Sequence, residues 1–287
     1  LRCHVDACIG GWVLPFLDDV PPWTFAVPGV TSISVDLHKY AYTPKGVSLL
    51  LHRDSALRKG HFFASADWPG YTMLNSTMQS TKSGGPLAAA WAVVRRIGVE
   101  GYAALAVRAR GAALEIARRA PGIPGLRLLV GPDSTLVTLA TDDSCDVFTI
   151  ADEMLGRGWY VQPQMAYAGA PASLHLTLSA ATAESVDEFL AALAEATLAA
   201  RVAGPVSVDS GLAAAAVALD PKTLSDNDFD GLLALAGLAD GDGALDLPER
   251  MAPVNALLDV APPRLREALL LAFLDRLSRP SSPATAQ

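Results

Sequence analysis

Ser32-Ile33-Ser34-Val35-Asp36-Leu37-His38-Lys39-Tyr40-Ala41-Tyr42-Thr43-Pro44-Lys45-Gly46 is the stretch that decides the fold. Residues 32–35 read as a buried strand, and the chain leaves it through Asp36-Leu37-His38-Lys39, a turn dense in charge. Residues 46–51 form a further apolar run. Upstream, residues 2–5 read as a strand that ends at Asp6 and is followed by Gly10-Gly11. Short strands rich in Val, Ile and Leu that end in polar residues suit the buried sheet of an α/β protein. Function in such sheets gathers where strands end. Gly84-Gly85-Pro86 then opens a helix over residues 87–97, with the proline in its first turn.

The middle of the chain has another pattern. Residues 102–119 are helical and stop at Pro121-Gly122. Residues 126–130 and 135–141 are strand-like, 146–157 helical, and 159–162 and 173–178 strand-like again. Val186, Phe189, Leu190, Leu193 and Leu198 fall on one helical stripe, and Ser185 and Glu188 have capping-box spacing. This predicts a small α+β domain over residues 104–200, after a sheet-bearing portion over 1–103. The tail, 201–287, is Ala-rich and helical. It breaks at Pro221, Asp240–Gly243 and Pro262-Pro263, has one helix over 264–277 and a frayed end from Ser278. Trp91 and Trp159 read as core.

Of the 287 residues, 51% are hydrophobic and 18% charged, and the net charge is -8. Such a chain is globular and long enough for one large domain or two ordinary ones. An acidic balance without a Lys/Arg block argues against nucleic acid and anionic membranes as partners. Cys3, Cys8 and Cys145 make neither a disulfide framework nor a paired-cysteine metal motif, which points to a reducing cytoplasm. No apolar run reaches the roughly 18 residues of a membrane span. The chain opens without methionine and inside a strand, which predicts a piece of a longer polypeptide.

Lys39 stands at a strand end beside Tyr40 and Tyr42. Desolvation there would depress its pKa, and a neutral amine can form a Schiff base. An ordinary turn lysine fits the same surroundings. Asp6 also follows an apolar strand, and its small neighbours Ala7, Cys8, Gly10 and Gly11 would let a flat ring approach the backbone. A carboxylate there can keep a pyridinium nitrogen protonated; a turn-capping aspartate fits too. Pyridoxal phosphate chemistry needs this pair, an amine for the aldehyde and an acid for the ring nitrogen.

Together the two segments resemble a known family. His4-Val5-Asp6-Ala7-Cys8-Ile9-Gly10-Gly11, with Lys39 following 33 positions after Asp6, is similar to the group II pyridoxal-phosphate-dependent decarboxylases, and most to their sphingosine-1-phosphate lyase branch. There the strand reads close to HVDACxGGF and the lysine segment close to DTHKYGYAPKG. Asp67-Trp68-Pro69-Gly70-Tyr71 and Ser80-Thr81-Lys82-Ser83-Gly84-Gly85-Pro86-Leu87-Ala88-Ala89-Ala90-Trp91 resemble the branch's DWxGG…GSRPGG…AAxWA, and a weaker likeness continues to about residue 200.

The resemblance implies a fold-type I transferase-like α/β architecture: part of a large domain with a mostly parallel sheet, plus a small C-terminal α+β domain. It implies pyridoxal 5'-phosphate bound through Lys39, with Asp6 on the ring nitrogen and His38 and Cys8 beside the cofactor; Cys8 also fits a plain packing role. Lys39 or a tyrosine, Tyr40 foremost, would serve as general acid/base; Tyr40 and Tyr42 also fit a plain packing role. Lys45 matches a lysine that meets the substrate's phosphate in the lyases, as a point charge suits a dianion. Gly84 and Gly85, in the loop from Ser80, would offer backbone N–H groups to an anion, and that loop would reach the active site of a second copy in a homodimer. The implied reaction is retro-aldol cleavage of a phosphorylated amino alcohol. An L-amino-acid decarboxylase and a non-catalytic remnant of the same fold are the alternatives. Ala41 stands where the branch has glycine and Lys82 where it has arginine. The family's phosphate-binding loop and ring-stacking histidine belong upstream of Asp6.

Overall fold

A computed structural model describes residues 2–79, 81–223, 225–235 and 248–278. Ser80, the break at Asp240–Gly243 and the tail beyond Ser278 lie outside them. The chain divides into two compact units. One comprises Leu1–Ala117, Gly131–Val137 and Thr177–Val186; the other comprises Arg118–Val130, Thr138–Leu176 and Asp187–Gln287.

The first unit is built on strands β1 (Cys3–Asp6), β2 (Val30–Asp36) and β3 (Ser48–His52), in the order β1-β2-β3. β1 and β2 run parallel, with Asp6 opposite Ser34; β3 returns antiparallel, with Ser48 opposite Asp36. Strand alternation then sorts the side chains. Ile33 and Val35 turn to an apolar face, where they are buried with Ala7 and Val30 against Val5, Trp12, Trp23 and Phe25. His4 and Asp6, Ser32, Ser34 and Asp36, and Ser48 and His52 share the other, polar face. The link from β1 to β2 is pinned by Arg53, whose guanidinium donates to the carbonyls of Val30 (2.5 Å), Phe25 (2.8 Å) and Val27 (3.0 Å).

Helix α1 (Ser55–Lys59) is capped by Asp54, whose carboxylate accepts the Leu57 N–H at 2.8 Å. A hairpin follows, β4 (Phe63–Ser65) against β5 (Met73–Asn75). Helix α2 (Gly85–Arg119) is broken at Gly98, which has φ 67 and ψ 176, so the chain makes two helical runs much as the sequence suggests. Trp91 departs from expectation: it is 67% exposed, while Ala90 beside it is buried with Leu37, Ala41, Val47 and Tyr102.

The second unit holds a four-stranded sheet of β6 (Leu126–Val130), β7 (Leu136–Thr141), β9 (Ser173–Thr177) and β8 (Gln162–Gln164), in the order β6-β7-β9-β8. Helix α3 (Val147–Gly156) starts at Asp146, whose carboxylate takes the Thr149 N–H at 2.8 Å. Helix α4 (Val186–Ala203) buries Val186, Phe189, Leu190, Leu193, Ala196 and Ala200. Leu198 is 61% exposed, because it sits out of phase with that stripe.

The tail folds into α5 (Ser210–Ala218), α6 (Asp226–Leu235), α7 (Ala252–Val260) and α8 (Pro263–Ser278). Carboxylates anchor it. Asp152 of α3 accepts the N–H groups of Met251 (3.0 Å) and Ala252 (2.8 Å) at the start of α7. Asp259 of α7 accepts that of Ala166 at 2.6 Å. Among the described residues no helix is long and apolar enough to cross a membrane.

Candidate active site

The site is assembled at the C-terminal ends of β1 and β2, on the polar face of the sheet. Asp6 ends β1. Its Oδ1 accepts the Cys8 N–H at 3.0 Å and the Ser34 hydroxyl at 3.3 Å. Hydrogen bonds from Cys8, thiol and backbone both, hold its carboxyl below the usual carboxylate range against the opposing effect of burial, and Lys39 adds a weaker pull in the same direction. Cys8 is pushed up by burial and by Asp6. Gly11, just beyond, has no room for a side chain: a Cβ there would lie 2.7 Å from Val35 Cγ1.

Asp36 ends β2 and is buried, 8% exposed. The Ser48 hydroxyl donates to its Oδ1, and Lys39 Nζ sits 2.9 Å from its Oδ2. Burial pulls this carboxyl up, but Ser48, Lys39 and Cys8 together bring it below its usual value. Lys39 is raised: its hydrogen bond to Asp36 outweighs desolvation, and Cys8 and Asp6 push the same way. This is the reverse of the direction expected from its sequence neighbours. The desolvation argument fails because a buried carboxylate stands three residues earlier. His38 lies alongside, Nδ1 3.1 Å from the Val47 carbonyl and Nε2 3.7 Å from Asp36 Oδ2.

Asp6, Cys8, Ser34, Asp36, His38 and Lys39 therefore share one linked cluster, in which Asp6 and Lys39 sense each other's charge. The donor set fits pyridoxal phosphate: an ionised acid and an amine share the polar face, beside small residues. Sequence reasoning missed Ser34, Asp36 and Ser48. Strand alternation, which puts residues 32, 34 and 36 on one face, is the signal that would have found the first two.

Tyr40 is not brought into the cluster. It is 6% exposed and packed with Val13, Ala106 and Ala109, and its hydroxyl donates to the Leu178 carbonyl at 2.7 Å. Burial raises its phenol. Tyr42 carries the turn's positive φ, 56°, and its hydroxyl accepts the Ala180 N–H at 3.3 Å. Ala41, in the glycine position of the related motif, is buried without positive φ, so its Cβ is accommodated. Lys45 is exposed. Gly46 beside it packs on Pro86: a Cβ there would meet the Pro86 ring at 3.3 Å. Gly85 N–H donates to Ser83 Oγ at 3.3 Å, and Gly84 O accepts from Ala88 at 3.0 Å, so both glycines are engaged in the start of α2. At the opposite ends of the strands, Arg2, Thr31, Ser32, His52 and His61 line a cleft of about 230 Å³, in which the two histidine rings lie 5.8 Å apart.

Comparison with known proteins bears on the family and the fold. The family model described as "Pyridoxal-dependent enzyme, C-terminal putative HTH domain" matches residues 210–276. The sphingosine-1-phosphate lyase of Oryza sativa is 37% identical over 191 residues, 65% of this chain and 34% of that protein. The Arabidopsis thaliana enzyme of the same name is 35% identical over 214 residues, 73% of this chain and 38% of its own. The solved sphingosine-1-phosphate lyase of Burkholderia pseudomallei superposes with a TM-score of 0.64 at 34% identity, over 70% of this chain and 46% of that one. The chain thus spans little more than a third of the length of the curated relatives it matches. Its α/β architecture is that of the fold-type I enzymes. The chain belongs to the group II pyridoxal-phosphate-dependent decarboxylase family, in its sphingosine-1-phosphate lyase-like branch.

Proposed function

We propose that this chain supplies the cofactor lysine and the ring-nitrogen acid of a pyridoxal-phosphate-dependent carbon–carbon lyase. The enzyme cleaves a phosphorylated amino alcohol to an aldehyde and phosphoethanolamine. The observation that carries this reading is the placement of Asp6 and Lys39 at neighbouring parallel strand ends, within one electrostatic cluster. When bound, the cofactor supplies an electron sink for the Cα–Cβ bond that breaks. Asp6, kept ionised by Cys8 and Ser34, holds a proton on the ring nitrogen. Lys39 would hold the cofactor, and its amine would move protons as general acid and base. Tyr40, with its hydroxyl committed to Leu178, packs rather than transfers protons. Lys45 takes the substrate's phosphate, and His38 and Cys8 border the cofactor.

The domain division at 103/104 and 200/201 belongs to this reading, as does a homodimer. Phe63, Trp68, Tyr71, Leu74 and Trp91, around the hairpin and the start of α2, are all more than half exposed. Apolar exposure on this scale marks a protein contact, and a second copy is its occupant. Residues 210–276 carry eleven acidic and five basic side chains. That sign is wrong for a phosphate backbone, so the helical tail serves the enzyme and not nucleic acid. The three free cysteines fit a cytoplasmic setting.

The test uses the full-length enzyme with phosphorylated and unphosphorylated long-chain amino alcohols. Aldehyde release with a KM that rises on Lys45→Ala, for the phosphorylated substrate alone, is expected. Carbon dioxide release from an L-amino acid, indifferent to Lys45→Ala, would replace the lyase with a decarboxylase; no turnover and no cofactor absorbance would leave a non-catalytic member of the fold.

A further inference from the structure

We infer that Asp36 is the positioning residue of Lys39: its carboxylate holds the lysine's ammonium in place and governs how readily the amine becomes free to bond. The functional consequence rests on the reading of Lys39 as the cofactor lysine; the ion pair does not.

Asp36 is fixed from several directions. Across the sheet it is register-paired with Ser48, whose hydroxyl donates to Oδ1. From the β1 side the Cys8 thiol interacts with it. The turn that follows β2 folds back on itself, with Leu37 N–H on the Val47 carbonyl at 3.2 Å and Tyr42 N–H on the Lys39 carbonyl at 3.1 Å. That fold brings Lys39 Nζ to 2.9 Å from Oδ2 and His38 Nε2 to 3.7 Å. Cys8 and Asp6 are the remaining groups that act on Lys39.

A carboxylate this buried is stable only with a cation or several donors. Lys39 is the cation, although its own side chain is 40% exposed. Exposure alone would let a lysine sample many rotamers; the pairing with a fixed carboxylate selects one. The same pairing keeps the nitrogen protonated, and a protonated amine does not attack an aldehyde. Asp36 therefore keeps Lys39 on the face that carries Asp6, and slows its reaction until the proton is lost.

Competitive acetylation tests this on the full chain. A pulse of acetic anhydride across a pH series, followed by mass spectrometry of the peptides, reads the neutral amine fraction at Lys39 against Lys45 in the same sample. Asp36→Asn should raise the Lys39-to-Lys45 ratio at pH 8 roughly three- to tenfold, the loss of one charge-assisted hydrogen bond, and shift the Lys39 profile to lower pH. Ser48→Ala, which keeps the charge but releases Oδ1, should move it the same way by less. An unchanged ratio in an Asp36→Asn protein that melts like the parent overturns the inference. If Asp36→Asn does not melt like the parent, Ser48→Ala decides: a rise supports, no change overturns. No cofactor is needed for this readout, so failure of the lyase reading leaves it intact, and an unchanged ratio in an enzyme that still releases aldehyde refutes the role of Asp36 alone.

Discussion

Tyr40→Phe separates packing from chemistry at the residue next to the lysine. The substitution keeps the ring among Val13, Ala106 and Ala109 and removes only the hydroxyl that reaches the Leu178 carbonyl at 2.7 Å. A neutral hydrogen bond contributes about 1 kcal/mol, and a buried acceptor left without its donor costs about 1–3 kcal/mol. The expected loss is therefore about 1–3 kcal/mol of stability, at about 2–4 °C of Tm for each kcal/mol in a chain of this size. Thermal and urea unfolding of the variant measure that loss, and kcat/KM of the cofactor-loaded enzyme measures the other half. A general acid/base group contributes roughly 10²–10⁴-fold, whereas a packing residue should cost less than about tenfold. A variant with an unchanged midpoint and a hundredfold loss of kcat/KM would refute the packing role and return Tyr40 to the chemistry.

Two further outcomes follow from local geometry. Gly11→Ala would place a Cβ 2.7 Å from Val35 Cγ1, a stiff β-branched side chain in the sheet core. Denaturant unfolding should show a loss of about 1–3 kcal/mol from this overpacking, and a neutral result would mean that the β1–β2 link is looser than described. Glu153 is held below the ordinary glutamate value of 4.5 by hydrogen bonds from Arg157 and Arg250, against a smaller opposing effect of burial. A depressed folded pKa contributes stability that is full above about 4.5 and is lost as pH falls through the folded value. Unfolding midpoints measured down a pH series should therefore fall more steeply below 4.5 in the parent than in Glu153→Gln; parallel curves would sink that assignment.

Strands β1, β2, β3, β6, β7 and β9, the two runs of α2, the helices α3 and α8, and the linked Asp6 and Lys39 are legible because each rests on local signals: alternation, caps, proline and glycine stops, and motif spacing; β8 falls at Gln162–Gln164 rather than at 159–162. What was not legible depended on partners distant in sequence. The ion pair of Lys39 is hidden because nothing local says that Asp36 is buried and that Ser48 stands across from it. For Tyr40 the sequence leaves acid/base and packing roles both open, because adjacency to Lys39 hides that its hydroxyl reaches Leu178, 138 residues away. Residue type alone puts Trp91 in the core, yet the helix turns its neighbour Ala90 inward instead. The hairpin of β4 and β5 escaped because three-residue strands leave no period to read.

Reduction with borohydride in the presence of pyridoxal phosphate, followed by peptide mapping, bears most directly on the central claim. A stable phosphopyridoxyl group is expected on the peptide containing Lys39, lost in Lys39→Ala. Labelling at Lys45, Lys59 or Lys82 in place of Lys39, or no labelling of a protein that still turns over substrate, would contradict it.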